Sequence, residues 1–240
     1  MTELLKIENL WKRYGLKAVI RELNIEITEG KIVGLVGDNG SGKTTLLKMI
    51  AGLQHPSEGS ITIDGKKVGL QTKEIVSFMS DKPIFDDWMT VKDALFFYRD
   101  FYKDFDIQKA VDTIAEFKIP LEEKITALSK GMVEKLQIIL TFSRKAKLYV
   151  LDEPLGGIDL VSREHVLELI LKFYREDCTL LISTHLIREI ENIFDEVIFL
   201  KDGEIILHEN VEELRFQKGK AVHELFKEAY DNESAFSLSI

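Results

Sequence analysis

Three features of this 240-residue sequence predict an α/β fold with a mostly parallel sheet. The runs "KIVGLVG", "KLYVLDEP" and "CTLLISTH" are nearly continuous in apolar residues, as in strands covered on both faces. Helical patterns with three-four apolar spacing alternate with them. A glycine-rich segment, Gly37-Asp38-Asn39-Gly40-Ser41-Gly42-Lys43-Thr44-Thr45, carries the first of these strands into a helix.

Taken in order, "LLKIENLWKRY", a turn at Gly15 and "AVIRELNIEI" read as two strands, closed by Glu29-Gly30. The strand "KIVGLVG" and the amphipathic helix "TTLLKMIAGL" come next. "GSITIDGKKV" is a short hairpin about Asp64-Gly65, and "EIVSFMS" is another strand. From Val91 to Phe142 the texture is helical, in "VKDALFFYRDFYKDF", "IQKAVDTIAEFKI" and "MVEKLQIILTFS", with Pro120 closing the second. "LVSREHVLELILKFYRE" is the helix between the strands "KLYVLDEP" and "CTLLISTH". "EVIFLKDGEIILHE" is a hairpin turning at Asp202-Gly203. The tail "DNESAFSLSI" is weakly patterned and expected to be loosely held. There is no internal repeat.

Apolar residues make up 45% and charged residues 30%, values ordinary for a globular domain. A net charge of −9 argues against a broad nucleic-acid surface, which needs clustered Lys and Arg. The single Cys178 excludes an intramolecular disulfide; in "DCTLLIST" it reads as core filler. The five histidines lack metal-ligand spacing. No apolar run approaches the roughly 18 residues of a membrane span. The N-terminus lacks a signal peptide's basic-then-apolar order, so a cytoplasmic location is expected.

The glycine-rich segment has the spacing Gly37-x-x-x-x-Gly42-Lys43-Thr44 of a phosphate-binding loop. Glycines let successive N–H groups turn inward as a nest for anionic oxygens, and the following helix aims its positive end at the same point. Lys43 would reach the β- and γ-phosphates, and the Thr44 hydroxyl would hold Mg²⁺. Further on, the apolar run "LYVL" ends in two acids. Asp152 there could hold Mg²⁺ beside the loop, and Glu153 could accept a proton from water attacking the γ-phosphate. A strand end exposing two solvated acids is the plain alternative.

The order of these motifs resembles the ATP-binding subunit of ATP-binding cassette (ABC) transporters, over roughly residues 4–214. Tyr14 in "KRYG" matches the aromatic on which that family stacks adenine, and "GDNGSGKTT" matches its phosphate loop. "LSKGM" falls at the family's signature, "LYVLDEP" at its acidic strand, "GGID" ending in Asp159 at its dimer-contact loop, and His185 at its switch histidine. The resemblance implies that Ser129 and the Gly131 backbone grip a phosphate held by a partner cassette. A serine at a helix start also caps its own helix, and both uses can hold together. The plain alternatives are an aromatic on a sheet edge for Tyr14 and a surface residue at a strand end for His185. The signature departs from Leu-Ser-Gly-Gly-Gln at Lys130 and Met132. Asp81, in "FMSDKPIF", stands where the family carries a glutamine that touches Mg²⁺ and relays to the membrane subunit; a solvated loop acid is the alternative.

The fold expected is therefore a P-loop NTPase core with a mostly parallel sheet in one ABC ATPase domain spanning residues 1–240. Within it stand an antiparallel β-subdomain (about 1–30 and 57–70), an inserted helical subdomain (about 85–145) and a short C-terminal extension (about 215–240). ATP and Mg²⁺ are the expected cofactors. The expected partners are a second cassette, identical or paralogous, and an integral membrane permease, with the chain peripheral at the inner face of the cell membrane. The aromatics between Asp81 and Tyr102, Trp88 among them, face that permease or simply fill the core. "LSKGM" and the compact helical segment look most like bacterial exporters of drugs, peptides or lipids. The rivals are a soluble ATPase of the same type, uncoupled from transport, and a module that holds ATP without hydrolysing it.

Overall fold

The computed structural model describes residues 2–231. Strands β1 (Glu3–Tyr14) and β2 (Lys17–Thr28) open the chain. β3 (Ile32–Val36) runs through residues 37–42 into helix α1 (Lys43–Ile50), and β4 (Glu58–Ile63) pairs with β5 (Lys66–Lys67). After β6 (Val76–Met79) come α2 (Val91–Phe101), α3 (Ile107–Glu116) and α4 (Lys130–Phe142). Next are β7 (Leu148–Asp152), α5 (Leu160–Phe173), β8 (Thr179–Thr184) and the short α6 (Ile187–Ile190). β9 (Glu196–Lys201), β10 (Glu204–Asn210), α7 (Val211–Lys218) and α8 (Val222–Asp231) end the described chain. The tail "DNESAFSLSI", apart from its first residue at the end of α8, lies outside the described residues.

Two sheets result. One is antiparallel, in the order β2-β1-β4-β5; the other runs β10-β9-β3-β8-β7-β6. Five strands of the second sheet are parallel, and β10 joins antiparallel through the turn at Asp202-Gly203. The period-two rule decides which residues meet which layer. Val33, Leu35, Leu148, Val150, Leu181, Ile198 and Leu200 face α1 and the antiparallel sheet, closing one apolar core. Ile32, Val36, Tyr149, Leu151, Leu180, Ile182, Val197 and Phe199 face the helices on the other side, in a second core. Both faces of the sheet are covered, which is why its strands read as apolar runs and not as alternations.

Three local findings qualify the sequence reading. Helix α3 stops at Glu116, ahead of Pro120. Lys118 takes φ 54°, and the Ile119 N–H returns to the Ile114 carbonyl at 3.0 Å, so a left-handed residue ends the helix before proline would. α2 divides its aromatics: Tyr98 is buried, whereas Phe97 and Phe101 stack on each other at the surface. Cys178 is core, buried to 2% exposure, and burial raises its thiol pKa.

Candidate functional site: a phosphate loop at the strand ends

Parallel register gathers the site. Val36 pairs with Thr184, Asp152 with Ser183, and Met79 with Leu151, so β3, β8, β7 and β6 end level. The residues just beyond these strands therefore share one edge: the phosphate loop, His185, Glu153 and Asp81. Ligands of open parallel sheets sit at this carboxyl edge. A cavity of about 700 Å³ opens there, lined among others by Asn39, Gly40, Gly42, Lys43, Thr44, Thr45, Asp81, Glu153 and His185.

Helix α1 begins without a side-chain cap and without an acid in its first turn. Its first N–H groups are left for an anion, and its dipole favours one. Gly42 precedes it at φ 112°, and a Cβ there would run into Ile20 and the Val19 carbonyl. Only glycine makes that turn without strain. Lys43 is 5% exposed, and its ammonium donates to the carbonyls of Gly37 (2.6 Å) and Asp38 (3.2 Å). It also pairs with Glu153 Oε1 at 3.2 Å.

Glu153 is saturated. Its Oε2 accepts from the His185 backbone N–H (3.3 Å) and lies 2.8 Å from His185 Nδ1. Its backbone sits at φ 52°, with the N–H donating to Ser183 Oγ at 3.0 Å. A non-glycine residue held in this region carries strain, which accumulates at functional sites. Both cationic or polar groups that could grip a γ-phosphate are thus tied to one carboxylate.

Asp152 is fully buried. Its Oδ1 accepts from Ser183 Oγ (2.7 Å) and Thr44 Oγ1 (3.2 Å), while Oδ2 has no partner. Burial, with Asp81 and Glu153 adding like charge, raises its pKa against the two hydroxyl hydrogen bonds. An orphaned buried carboxylate oxygen beside a threonine hydroxyl fits a divalent cation. No group of three or more His, Cys, Asp or Glu suited to a metal occurs among the described residues. A cation here would complete its shell with phosphate oxygens and water.

The other sequence candidates divide between the cavity and its surroundings. Asp81 lines both this cavity and a second one of about 750 Å³, which it shares with Thr44 and Asp152. Gly37, Asp38 and Ser41 build the loop behind the cavity wall; the Ser41 N–H returns to the Asp38 carbonyl at 3.2 Å. Tyr14 is half-exposed at the end of β1, away from the cavity lining, and donates to Gln54 Oε1 at 2.6 Å. Ser129 caps α4, accepting from the Met132 N–H at 3.3 Å, and Asp159 caps α5 through Ser162. These two caps are neighbours, because Gly131 packs so closely on Ser162 that a Cβ would clash. Ser129, Gly131 and Asp159 do not line the chain's own cavity.

Sequence reasoning missed several contributors. Ser183 ties both acids, yet nothing marks a serine in "LLIST" as special. Lys17 and Val19 line the cavity from β2, and Lys130, singled out in the sequence only as a departure from the signature, lines it from α4. Glu134, one turn beyond Lys130, is buried at 5% exposure, and its pKa is pushed up to about 8, chiefly by burial and then by Asp81. It sits on the face of α4 opposite the apolar stripe of Met132, Val133, Leu136, Ile139 and Leu140, where periodicity assigns solvent, so nothing in the pattern marks it as a buried acid.

Among known proteins, the family described as ABC transporter matches residues 20–156. An uncharacterized ABC transporter ATP-binding protein of Methanocaldococcus jannaschii is 32% identical over 222 residues, covering 89% of this chain and 80% of that one. The lantibiotic transport ATP-binding protein SrtF of Streptococcus pyogenes is 31% identical over 232 residues, covering 88% of this chain and 95% of that protein. A solved ATP-binding subunit of an ABC transporter superposes with a TM-score of 0.85 at 26% identity, covering 95% of this chain and 99% of that structure.

Proposed function

The chain belongs to the ABC transporter family as an ABC-type ATPase, and from that premise we propose that it drives export through a separate membrane subunit as one half of a cassette pair. The observation that carries the nucleotide chemistry is the convergence of Lys43, Glu153 and His185 on an uncapped helix start. ATP phosphates would occupy the nest, with Lys43 turning from Glu153 to the β- and γ-phosphates. Glu153, released, would orient and deprotonate water, and His185 would meet the γ-phosphate. Asp152 and Thr44 would hold Mg²⁺, with Asp81 at its edge. That ion would supply charge neutralisation on the phosphates. Tyr14 would offer its ring to adenine.

Ser129, Gly131 and Asp159 do not line their own chain's cavity, and their nearness to one another suits a second cassette docked head to tail. Ser129, the Gly131 backbone and the α4 dipole would then face the partner's γ-phosphate. Closure on ATP and opening after hydrolysis would be the stroke. The second cavity, and apart from it the exposed Trp88, Phe97 and Phe101, would offer surface to a membrane subunit. No helix among the described residues is long and apolar enough to cross a membrane. SrtF's lantibiotic transport makes a lantibiotic the first cargo to try.

Affinity purification from native membranes tests this reading. A stoichiometric integral membrane protein is expected, whereas ribosomal or DNA-repair partners would favour the soluble ATPase. Sedimentation of the Glu153→Gln chain with excess Mg-ATP should show a dimer; monomer alone would refute the paired cassette.

A further inference from the structure

Helix α8 reaches the phosphate loop from outside the cavity. It docks through buried Val222, Leu225 and Ala229, and Phe226 packs edge-on against Phe199 of β9, with ring centroids 5.2 Å apart. One turn on, Tyr230 lies against Phe226 at 4.3 Å, which aims its hydroxyl at the end of β9. That hydroxyl donates its one proton to the Leu200 carbonyl at 2.6 Å. Its oxygen is then left to accept, and it accepts the Asp38 backbone N–H at 3.3 Å. Burial pushes the phenol pKa up to about 12, so the proton stays on the oxygen at any ordinary pH.

The bonded N–H belongs to the peptide between Gly37 and Asp38. The carbonyl of that same peptide, Gly37 O, is the shorter of the two acceptors that hold Lys43 Nζ, at 2.6 Å. A peptide unit is planar, so its N–H and C=O point opposite ways and turn together. Fixing the N–H toward Tyr230 therefore fixes the carbonyl toward Lys43. The site is tight: Gly37 lies so close to the Leu200 carbonyl that a Cβ would collide with it. Leu200 thus touches the loop directly and, through Tyr230, one peptide later.

We propose that Tyr230 is a positioning residue for ATP binding, its hydroxyl locking the Gly37–Asp38 peptide so that the loop presents Lys43 to the phosphates. The proposal rests on nucleotide binding at the phosphate loop. Its thermodynamic corollary is reciprocal: a nucleotide that tightens the loop also tightens α8 on the sheet.

The test uses the full-length chain, with ADP and ATP as ligands. Tyr230→Phe keeps the ring packing and removes only the hydroxyl. We expect KM for ATP and Kd for ADP to rise about two- to tenfold, the loss of one modest hydrogen bond, with kcat within twofold of wild type. The control is Lys201→Met, which cuts a different tie of α8, from Lys201 Nζ to the Tyr230 carbonyl at 3.4 Å. It should leave KM within twofold. A purely structural tyrosine would lower Tm without raising KM, and equal KM shifts in both variants would assign the effect to helix docking; either result overturns the proposal. Amide exchange in the wild type gives a readout free of any variant. The Asp38 amide should be protected in the free protein, and α8 should exchange more slowly with ADP bound. Fast exchange at Asp38 overturns the proposal, whereas a wild type that fails to bind ADP overturns the reading of the loop itself.

Discussion

Replacing Glu153 by Gln should tighten ATP binding while nearly abolishing turnover, and the structure sets both magnitudes. Lys43 and Glu153 pair at 3.2 Å with side chains only 6% and 11% exposed. At that distance and an effective dielectric of about 20 the attraction is roughly 5 kcal/mol. ATP must break this pair to reach Lys43, and it restores most of the energy by putting a phosphate where the carboxylate was. The part not restored, about 1–3 kcal/mol, is the competition that the neutral amide removes, or roughly five- to 150-fold in Kd. His185 is released by the same change, because Glu153 Oε2 holds its backbone and its ring. Turnover should fall by about 10²–10⁴, since water loses its base. The free variant should also be less stable than wild type, as Lys43 keeps only two carbonyls for its buried charge. Equilibrium binding of ATP with Mg²⁺, followed by single-turnover hydrolysis, separates the two effects. Binding no tighter than wild type would refute the competition, and turnover within tenfold of wild type would refute the role of Glu153 as base.

The same geometry sets three more outcomes. Lys43→Ala should cost about a hundredfold or more in ATP affinity, because no other buried cation stands in the loop; near-normal affinity in a binding titration would mean that the loop is misread. Asp81→Gln should retain hydrolysis but flatten its dependence on Mg²⁺, as one carboxylate fewer crowds Asp152; superimposable metal titrations would leave Asp81 an ordinary surface acid. Glu134 concerns pH. Its folded pKa, about 8, lies above the ordinary 4.5, so the folded state binds the extra proton between those values. Stability should accordingly fall as pH rises through that window. Glu134→Gln should remove that slope and gain about 2–5 kcal/mol on wild type by pH 9. Parallel denaturant curves from pH 5 to 9 for the two proteins would show that the carboxyl ionises freely in the fold.

Much of this protein is written locally. The glycine spacing from Gly37 to Gly42, the apolar strands and the Asp64-Gly65 and Asp202-Gly203 turns each depend on backbone preferences within a few residues. They are therefore legible one segment at a time. The same holds for Ser129, whose capping role needs only the three residues after it. Spacing likewise singles out Lys43, Thr44, Asp152 and Glu153 as chemistry, because each lies at the end of a strand or the start of a helix whose pattern is clear.

Periodicity could not show which groups meet across the sheet. Only the register of β3, β8, β7 and β6 places Glu153 between Lys43 and His185, residues 110 and 32 positions away, and lets Ser183 brace both acids. The same applies to Glu134, whose burial against Asp81 depends on how α4 leans over the strand ends, and to Tyr230, which closes on the loop only when α8 folds back on β9. Tyr14 shows the reverse case: its hydroxyl is spoken for by Gln54, a partner 40 residues on that no motif names. Local patterns fix conformation because their energies are set by neighbours in the chain. Ion pairs, shared hydrogen bonds and desolvation act between residues far apart in sequence, so only the packed layers decide them.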